Sequence, residues 1–362
     1  MIVATPLHLW LALSPHGYGH AGMSAPVIAE LRRRHPDMRL TIQTTLPDHF
    51  LQSRFGAYEK VPVIHDFGFR MISASQVDVE ASRHAYAELI DHLSEYRDAE
   101  AALIQAAKPD VILANVPFIT MAAGQLAGVP VIGFSSLNWA DLYRDIIPQT
   151  AETAVVLNRM LECYESAVCF LQTTPAQPMT LSRLKRVGPV GMTGQERKVE
   201  LRQRLQIGAQ VKIGLIAFGG MDRGLDVTTW PELSGWFWLL SKESQGQRSD
   251  MVNWEKAEMS FSDLLASVDV VVTKSGYGTF VEAALVGTPI LYEPRPYWPE
   301  APELEKWISA NNRSFPLSVE DMLGSKLESS LHTLFSMPYQ SLSCASGIAD
   351  VADEVERQAG LC

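Results

Sequence analysis

The stretch Asp269-Val-Val-Val-Thr-Lys-Ser-Gly-Tyr-Gly-Thr-Phe-Val-Glu-Ala-Ala-Leu-Val-Gly-Thr-Pro-Ile-Leu-Tyr-Glu-Pro294 decides how this chain is read. An apolar strand at 270–272 runs into a turn carrying Ser275, Gly276 and Gly278. A short helix follows at 279–286 and Gly287 stops it; Pro289 then precedes a second apolar strand at 290–292. The pattern is a βαβ unit with its glycines at the strand-to-helix corner. Free backbone N–H groups and the positive end of the helix dipole face an approaching anion there. Glu282 lies one turn into the helix, within reach of the ribose of a nucleotide whose phosphates rest on the turn; a solvated helix face is its other reading.

A second corner of this kind lies near the N-terminus. Residues 7–13 read as a buried strand leading into Ser14-Pro-His-Gly-Tyr-Gly-His-Ala-Gly-Met23, and a helix begins near Ser24 and runs to about Arg34. Gly17 and Gly19 open this turn to close backbone approach. Two such corners, one in each half, predict an α/β protein of two Rossmann-like lobes, with parallel sheets facing a central cleft.

A length of 362 residues suits two domains of ordinary size, and 47% hydrophobic with 20% charged residues fits a globular α/β protein. The formal net charge of −11 argues against a dedicated nucleic-acid binder, which needs clustered Lys and Arg. The densest basic run, Arg32-Arg33-Arg34, reads as a helix end with cations at the negative pole of the dipole. Docking to an anionic membrane surface is its other reading, so peripheral membrane contact stays open. The four cysteines (Cys163, Cys169, Cys344, Cys362) form no CxxC pair and no metal-ligand spacing with histidine, so structural thiols in a reducing compartment are expected. The N-terminus lacks signal-peptide features, and no segment reaches the roughly 20 apolar residues needed to span a bilayer. A cytoplasmic protein without a transmembrane segment is expected.

Strands are expected at 40–44, 61–64, 111–114, 131–134 and 167–172. Helices are expected at 25–34, 119–127 and 151–164, with one long amphipathic run at 79–107. Val187-Gly-Pro-Val-Gly-Met-Thr-Gly194 has the composition of a hinge. The expected domains are 1–187, an acceptor-side Rossmann-like lobe; 188–340, a donor-binding lobe; and 341–362, a C-terminal helix of undetermined packing. In the second lobe only residues 221–235 separate Gly220 from the next apolar strand at 236–240. With Pro231 among them, they are too few for a usual crossover helix.

These residues resemble a family. The layout is similar to that of the GT-B glycosyltransferases over most of the chain, most strongly at 14–22 and 263–307. The 269–294 segment resembles the donor corner of the inverting UDP-sugar transferases, among them the plant UDP-glycosyltransferases and the N-acetylglucosaminyltransferase that makes lipid II. The run His16-Gly-Tyr-Gly-His-Ala21 resembles their N-terminal Gly-His loop. Nearer still is the glycosyltransferase-like N-terminal region of plant L-arabinokinases, through that run, Gly276-Tyr-Gly-Thr279, Glu282 and the loop 295–303. The sugar-kinase half is absent here, so the transferase-like region is expected to stand alone.

Glycosyl transfer requires a base for the acceptor hydroxyl, stabilisation of the departing diphosphate, and in-line positioning. His20 is the candidate base, its unperturbed pKa of about 6.5 suiting proton transfer at neutral pH; a packed or capping turn histidine is the other reading. The resemblance places this histidine as the base or beside the donor phosphates. His16 is the weaker candidate. Plant UDP-glycosyltransferases often orient the base with a carboxylate, where this chain has Asn115. An amide fixes an imidazole by hydrogen bonding but cannot stabilise imidazolium by charge. Asp110 lies at the other end of that strand.

For the donor, the backbone amides of Ser275, Gly276, Tyr277, Gly278 and Thr279, with the Ser275 and Thr279 hydroxyls, are expected to hold the diphosphate. Gly219 and Gly220 would open a second corner, and Arg223 or Lys274 could add positive charge. The resemblance gives Glu282 the ribose hydroxyls. Phe261 stands where related enzymes meet the uracil ring, core packing being equally expected. Glu300 replaces the Asp-Gln pair that holds sugar hydroxyls in the plant enzymes. Tyr297 and Trp298 offer a face to a sugar ring or cover the core. No Asp-x-Asp motif points to a metal, and no cofactor is expected beyond the UDP-sugar as donor substrate.

Three functions follow. The leading one is an inverting, metal-independent hexosyl- or N-acetylhexosaminyl-transferase using a uridine-type nucleotide sugar and an unidentified small-molecule, lipid or glycan acceptor. A nucleotide-sugar hydrolase or epimerase is the second, and a non-catalytic nucleotide-sugar-binding module the third.

Overall fold

The computed structural model describes residues 6–72, 76–218, 229–241, 248–340, 342 and 344–361. The chain forms two compact units, Met1–Val190 with Ala345–Cys362, and Gly191–Cys344.

The first unit is built on a parallel sheet of seven strands: β1 (His8–Leu13), β2 (Arg39–Gln43), β3 (Glu59–Val61), β4 (Val111–Asn115), β5 (Val131–Ser135), β6 (Cys169–Gln172) and β7 (Leu184–Arg186). Their spatial order is β3-β2-β1-β4-β5-β6-β7. The central strands are buried along their whole length, and their near-continuous apolar runs are what a sheet covered on both faces demands. Two inward polar contacts join β1 to β2: Trp10 Nε1 donates to Gln43 Oε1 at 2.9 Å, and the His8 ring meets Thr41 Oγ1 at 2.9 Å. The winding reverses between β1 and β4, which sets the corners after these two strands side by side at the carboxyl edge.

The second unit repeats the plan with six parallel strands: β8 (Lys212–Ile216), β9 (Trp236–Leu240), β10 (Met251–Asn253), β11 (Val270–Lys274), β12 (Ile290–Glu293) and β13 (Ser314–Pro316). The order is β10-β9-β8-β11-β12-β13, with the reversal between β8 and β11. One face packs a core that includes Trp230, Trp238, Val270, Val272, Leu291 and Leu331.

Several elements differ from the sequence expectation. All four edge strands (β3, β7, β10 and β13) are three residues long. Three of them lie outside every expected strand, and β3 begins two residues ahead of the expected 61–64. Short edges limit unpaired backbone, and three residues are too few to show an alternating pattern. The expected helix at 79–107 is two, Val79–Asp91 and Leu93–Ala107, parted at His92. A break of one residue leaves the apolar spacing almost unchanged. The helix expected near Ser24 starts at Gly19 and carries Pro26 inside it. Proline is commoner in a first turn than this far inside a helix.

The C-terminal helix Ile348–Gln358 belongs to the first unit and packs along the helix Gly19–Arg34. Arg34 Nη1 reaches Asp353 at 2.6 Å and Glu356 at 2.8 Å, and His35 Nε2 meets Glu356 at 2.8 Å. Arg33 pairs with Glu30, and Arg32 donates to the Ala57 carbonyl. The basic run is therefore engaged largely within its own unit. Among the described residues no helix is long and apolar enough to cross a membrane. Cys163 and Cys169 are buried free thiols.

Each sheet contains a glycine that admits a neighbouring ring. A Cβ on Gly133 of β5 would lie 2.3 Å from Phe170, and one on Gly214 of β8 would lie 2.2 Å from Trp238. Gly133→Ala and Gly214→Ala are therefore each expected to lower stability by about 1–3 kcal/mol through overpacking, measured by urea unfolding.

Candidate functional site

The corner after β1 carries the first cluster. Gly17 turns the chain at φ +80°, a left-handed conformation that favours glycine, and a Cβ on Gly17 or Gly19 would meet nothing within 4 Å. His20 follows in the first turn of its helix and is buried. The structure brings it to Asn115, the last residue of the neighbouring β4: His20 Nδ1 and Asn115 Oδ1 lie 2.8 Å apart. Asn115 Nδ2 donates to the His20 carbonyl at 3.3 Å and to Ser24 Oγ at 3.2 Å, which orients the amide with its oxygen toward the ring. Nδ1 is then the protonated nitrogen and Nε2 carries the lone pair. Burial lowers the His20 pKa to about 4, with the Asn115 hydrogen bond opposing. The imidazole is neutral at physiological pH, and among the described residues no carboxylate supports its protonated form. Asp110 is at the far end of β4, where its Oδ2 accepts from His8 N at 2.7 Å.

Trp139, delivered by the corner after β5, closes one side of the cluster. Its ring meets His20 at 5.4 Å and His16 at 5.4 Å, both edge-on, and Phe69 at 6.1 Å. His16 Nδ1 accepts from Phe69 N at 3.5 Å, and a Cβ on Gly68 would lie 2.7 Å from the His16 ring. His16 thus clamps the loop 66–69.

Asp66, on that loop, was missed by sequence reasoning. It is 2% exposed, and Oδ2 accepts from Phe118 N at 3.2 Å, while Oδ1 has no hydrogen-bond partner among the described residues. The hydroxyls of Tyr86 and Tyr143 are likewise buried and without a hydrogen-bond partner among the described residues. Nothing around Asp66 in the sequence signals burial; the only cue is an isolated acid between His65 and an aromatic run.

The second cluster lies after β11. Gly276 caps the helix Tyr277–Val286, whose first bond runs from Phe280 N to Gly276 O at 3.2 Å. The Gly278 and Thr279 amides precede that bond, and a Cβ on Gly278 would meet nothing within 4 Å. The backbone here is open to a ligand. The Ser275 hydroxyl, expected on a diphosphate, is otherwise engaged: it is fully buried and donates to Glu305 Oε1 at 2.5 Å. Glu282 is buried and not on a solvated face; its Oε1 accepts from Met192 N at 3.3 Å. Glu300 is also buried and accepts from Trp298 Nε1 at 3.2 Å. Trp298 is buried, whereas Tyr297 is the most exposed large hydrophobic side chain among the described residues. Phe261 starts the helix Phe261–Ser267, half-buried and edge-on to Trp254 at 6.4 Å. Gly219, Gly220 and Arg223 lie outside the described residues. Among the described residues no group of three His, Cys, Asp or Glu side chains is arranged to hold a metal ion.

The Asp66 carboxyl yields a pH prediction. Burial pushes its pKa up to about 8; the Phe118 amide opposes this and the nearby Glu100 adds to it. The folded state therefore holds a proton that the unfolded chain releases near pH 4. The stabilisation is complete below about pH 4 and is lost as pH rises through about 8. Asp66→Asn keeps the shape without titrating. It should match wild type at about pH 3 and exceed it at about pH 8.5 by on the order of a few kcal/mol in urea unfolding.

Comparison with known proteins places this architecture. No family model matches the chain. L-arabinokinase of Arabidopsis thaliana is 24% identical over 315 residues, which is 85% of this chain and 30% of that protein. The chain thus spans about 30% of the length of the curated relative it matches. Among solved structures, the calicheamicin glycosyltransferase CalG4 superposes with a TM-score of 0.65 at 15% identity, over 98% of this chain and 99% of that one. The kitacinnamycin glycotransferase gives 0.64 at 19% identity, over 98% and 99%. UGT89C1 of Arabidopsis thaliana, in its complex with UDP, gives 0.58 at 14% identity, over 98% and 100%. Two doubly wound parallel sheets of seven and six strands, matched end to end in these structures, give this chain the GT-B glycosyltransferase fold.

Proposed function

We propose that the chain is a glycosyltransferase that moves a sugar from a nucleoside-diphosphate donor, of the uridine type, to an acceptor hydroxyl, with inversion and without a divalent metal. The observation that carries this reading is the His20–Asn115 pairing, which holds a neutral imidazole with its lone pair on Nε2 at the winding reversal of the first sheet. Nε2 takes the acceptor hydroxyl proton as the oxygen attacks the anomeric carbon. The bond from that carbon to the diphosphate breaks, and its electron pair leaves with the diphosphate. One displacement inverts the centre. In the second unit, the open amides of Gly278 and Thr279 and the helix dipole receive the diphosphate, and Glu282 the ribose hydroxyls. UDP in the UGT89C1 complex and thymidine diphosphate in the SpnG complex both support a pyrimidine nucleotide, uridine being our assignment. A hexosyl or N-acetylhexosaminyl group and a cytoplasmic setting complete the proposal, the latter fitting the free buried thiols Cys163 and Cys169.

One observation favours a second reading. An imidazole whose pKa is lowered to about 4 is a weak base, and a donor-binding module without turnover would carry the same geometry.

Calorimetry with UDP, GDP, dTDP and ADP tests the donor site. UDP or dTDP should bind selectively, and Glu282→Ala should weaken binding by about 1–3 kcal/mol through the lost ribose contacts. Absence of nucleotide binding to wild type would sink the transferase reading. With a donor and acceptor in hand, kcat/KM should stay flat from pH 6 to 8 and fall only as His20 becomes protonated near pH 4. Asn115→Asp sets a carboxylate against the ring and should move this acid limb upward by about 1–3 pH units. Turnover that survives in His20→Ala would assign the base elsewhere.

A further inference from the structure

We infer that Arg295 is an anion-binding residue of the second unit, held ready for the anionic part of the donor. It follows β12 and is 7% exposed, yet none of its three side-chain nitrogens forms a hydrogen bond, or an ion pair within 4 Å, among the described residues. Its Nε is sealed from solvent without a partner. The guanidinium lies over the Trp298 ring at 4.5 Å, which fixes its plane without using its N–H donors. Burial lowers its pKa, while Glu300 and Glu293 favour the charged form from a distance too great for an ion pair. Glu300 instead accepts from the Trp298 indole. A buried guanidinium with unused donors is costly, and a bound anion would satisfy it.

The backbone ties this cation to the glycine corner. Glu305 Oε1 accepts both the Ser275 hydroxyl, at 2.5 Å, and Arg295 N, at 3.4 Å. Ser275 N in turn donates to Glu293 O at 3.0 Å. The loop that carries Arg295 is thus latched to the residue just before Gly276. A flat fork of N–H donors suits two acceptor oxygens on one centre, as in a phosphate or a carboxylate. On the donor such a group is either the diphosphate or the carboxylate of an acidic sugar. The inference rests on the proposed function for which molecule brings the anion, and on this geometry alone for the anion site.

The test compares wild type, Arg295→Met and Arg295→Lys by thermal shift and calorimetry against inorganic pyrophosphate, UDP, UDP-glucose and UDP-glucuronate. Arg295→Met should unfold at or above the wild-type temperature, since it removes an unpaired buried charge and keeps the apolar stem on Trp298. Its binding should fall roughly tenfold to a hundredfold. A loss across all four probes assigns Arg295 to the diphosphate, and a loss confined to UDP-glucuronate assigns it to a sugar carboxylate. Arg295→Lys should keep part of the affinity. Wild type that binds pyrophosphate but no nucleotide, with Arg295→Met binding neither, would retain the anion site and remove the transferase reading. Binding of all four probes unchanged in a folded Arg295→Met would overturn the inference and leave the transferase reading intact. A marked drop in its unfolding temperature would overturn it too, by showing a structural charge.

Discussion

The first unit depends on how Asn115 divides its hydrogen bonds. Its carbonyl accepts Ser14 N at 3.0 Å, closing the end of β1 against the end of β4. Its side-chain oxygen takes the His20 ring, and its side-chain nitrogen holds the His20 carbonyl and the Ser24 hydroxyl. One fully buried amide therefore fixes the strand end, the first turn of the helix and the tautomer of the imidazole. Such a network tolerates no half-satisfied member, because each unpaired group would remain buried. An aspartate could hold the ring equally well and would support its charge, but it has no N–H for the His20 carbonyl. Asparagine gives the more complete local network and the less basic histidine.

Glu305 does the equivalent work in the second unit. Its carboxylate accepts the Ser275 hydroxyl and the Arg295 amide, so the corners after β11 and β12 are joined through one side chain. Both units obey the same constraint. In a parallel sheet wound in both directions, the chains leaving two adjacent strands part at the reversal and leave backbone amides uncovered there. Glycines at those places, open to space at Gly17, Gly19 and Gly278, are not needed to relieve a clash within the protein. They keep the backbone accessible, which is the property a ligand-binding corner requires.

Much of the fold was legible because its signals are local. Central strands read as apolar runs since both their faces are covered, and the two glycine corners read as helix starts next to strand ends. The three-residue edge strands carry no pattern, and the break at His92 hides in unbroken periodicity. Within the sites, the approach of His20 to Asn115 was accessible in part, because each residue ends or follows a strand of the reversal. Burial of Glu282 was not, since it arises from the chain at Met192 passing over the helix; nor was the diversion of the Ser275 hydroxyl to Glu305, thirty residues away.

The sequence by itself determined the strand–turn–helix order, the two doubly wound sheets and the positions of the glycine corners, because these rest on periodicity and backbone freedom within about a dozen residues. Tertiary structure alone decided the chemistry of the side chains. Asp66 holds its proton because burial raises its pKa, and among the described residues no carboxylate reaches Arg295 within ion-pair distance. His20 is a weak, tautomerically fixed base because a strand distant in sequence supplies an amide in place of an acid. Desolvation and hydrogen-bond partners are properties of what surrounds a residue, and for Asp66 and His20 the surroundings come from elements that are neighbours only after folding.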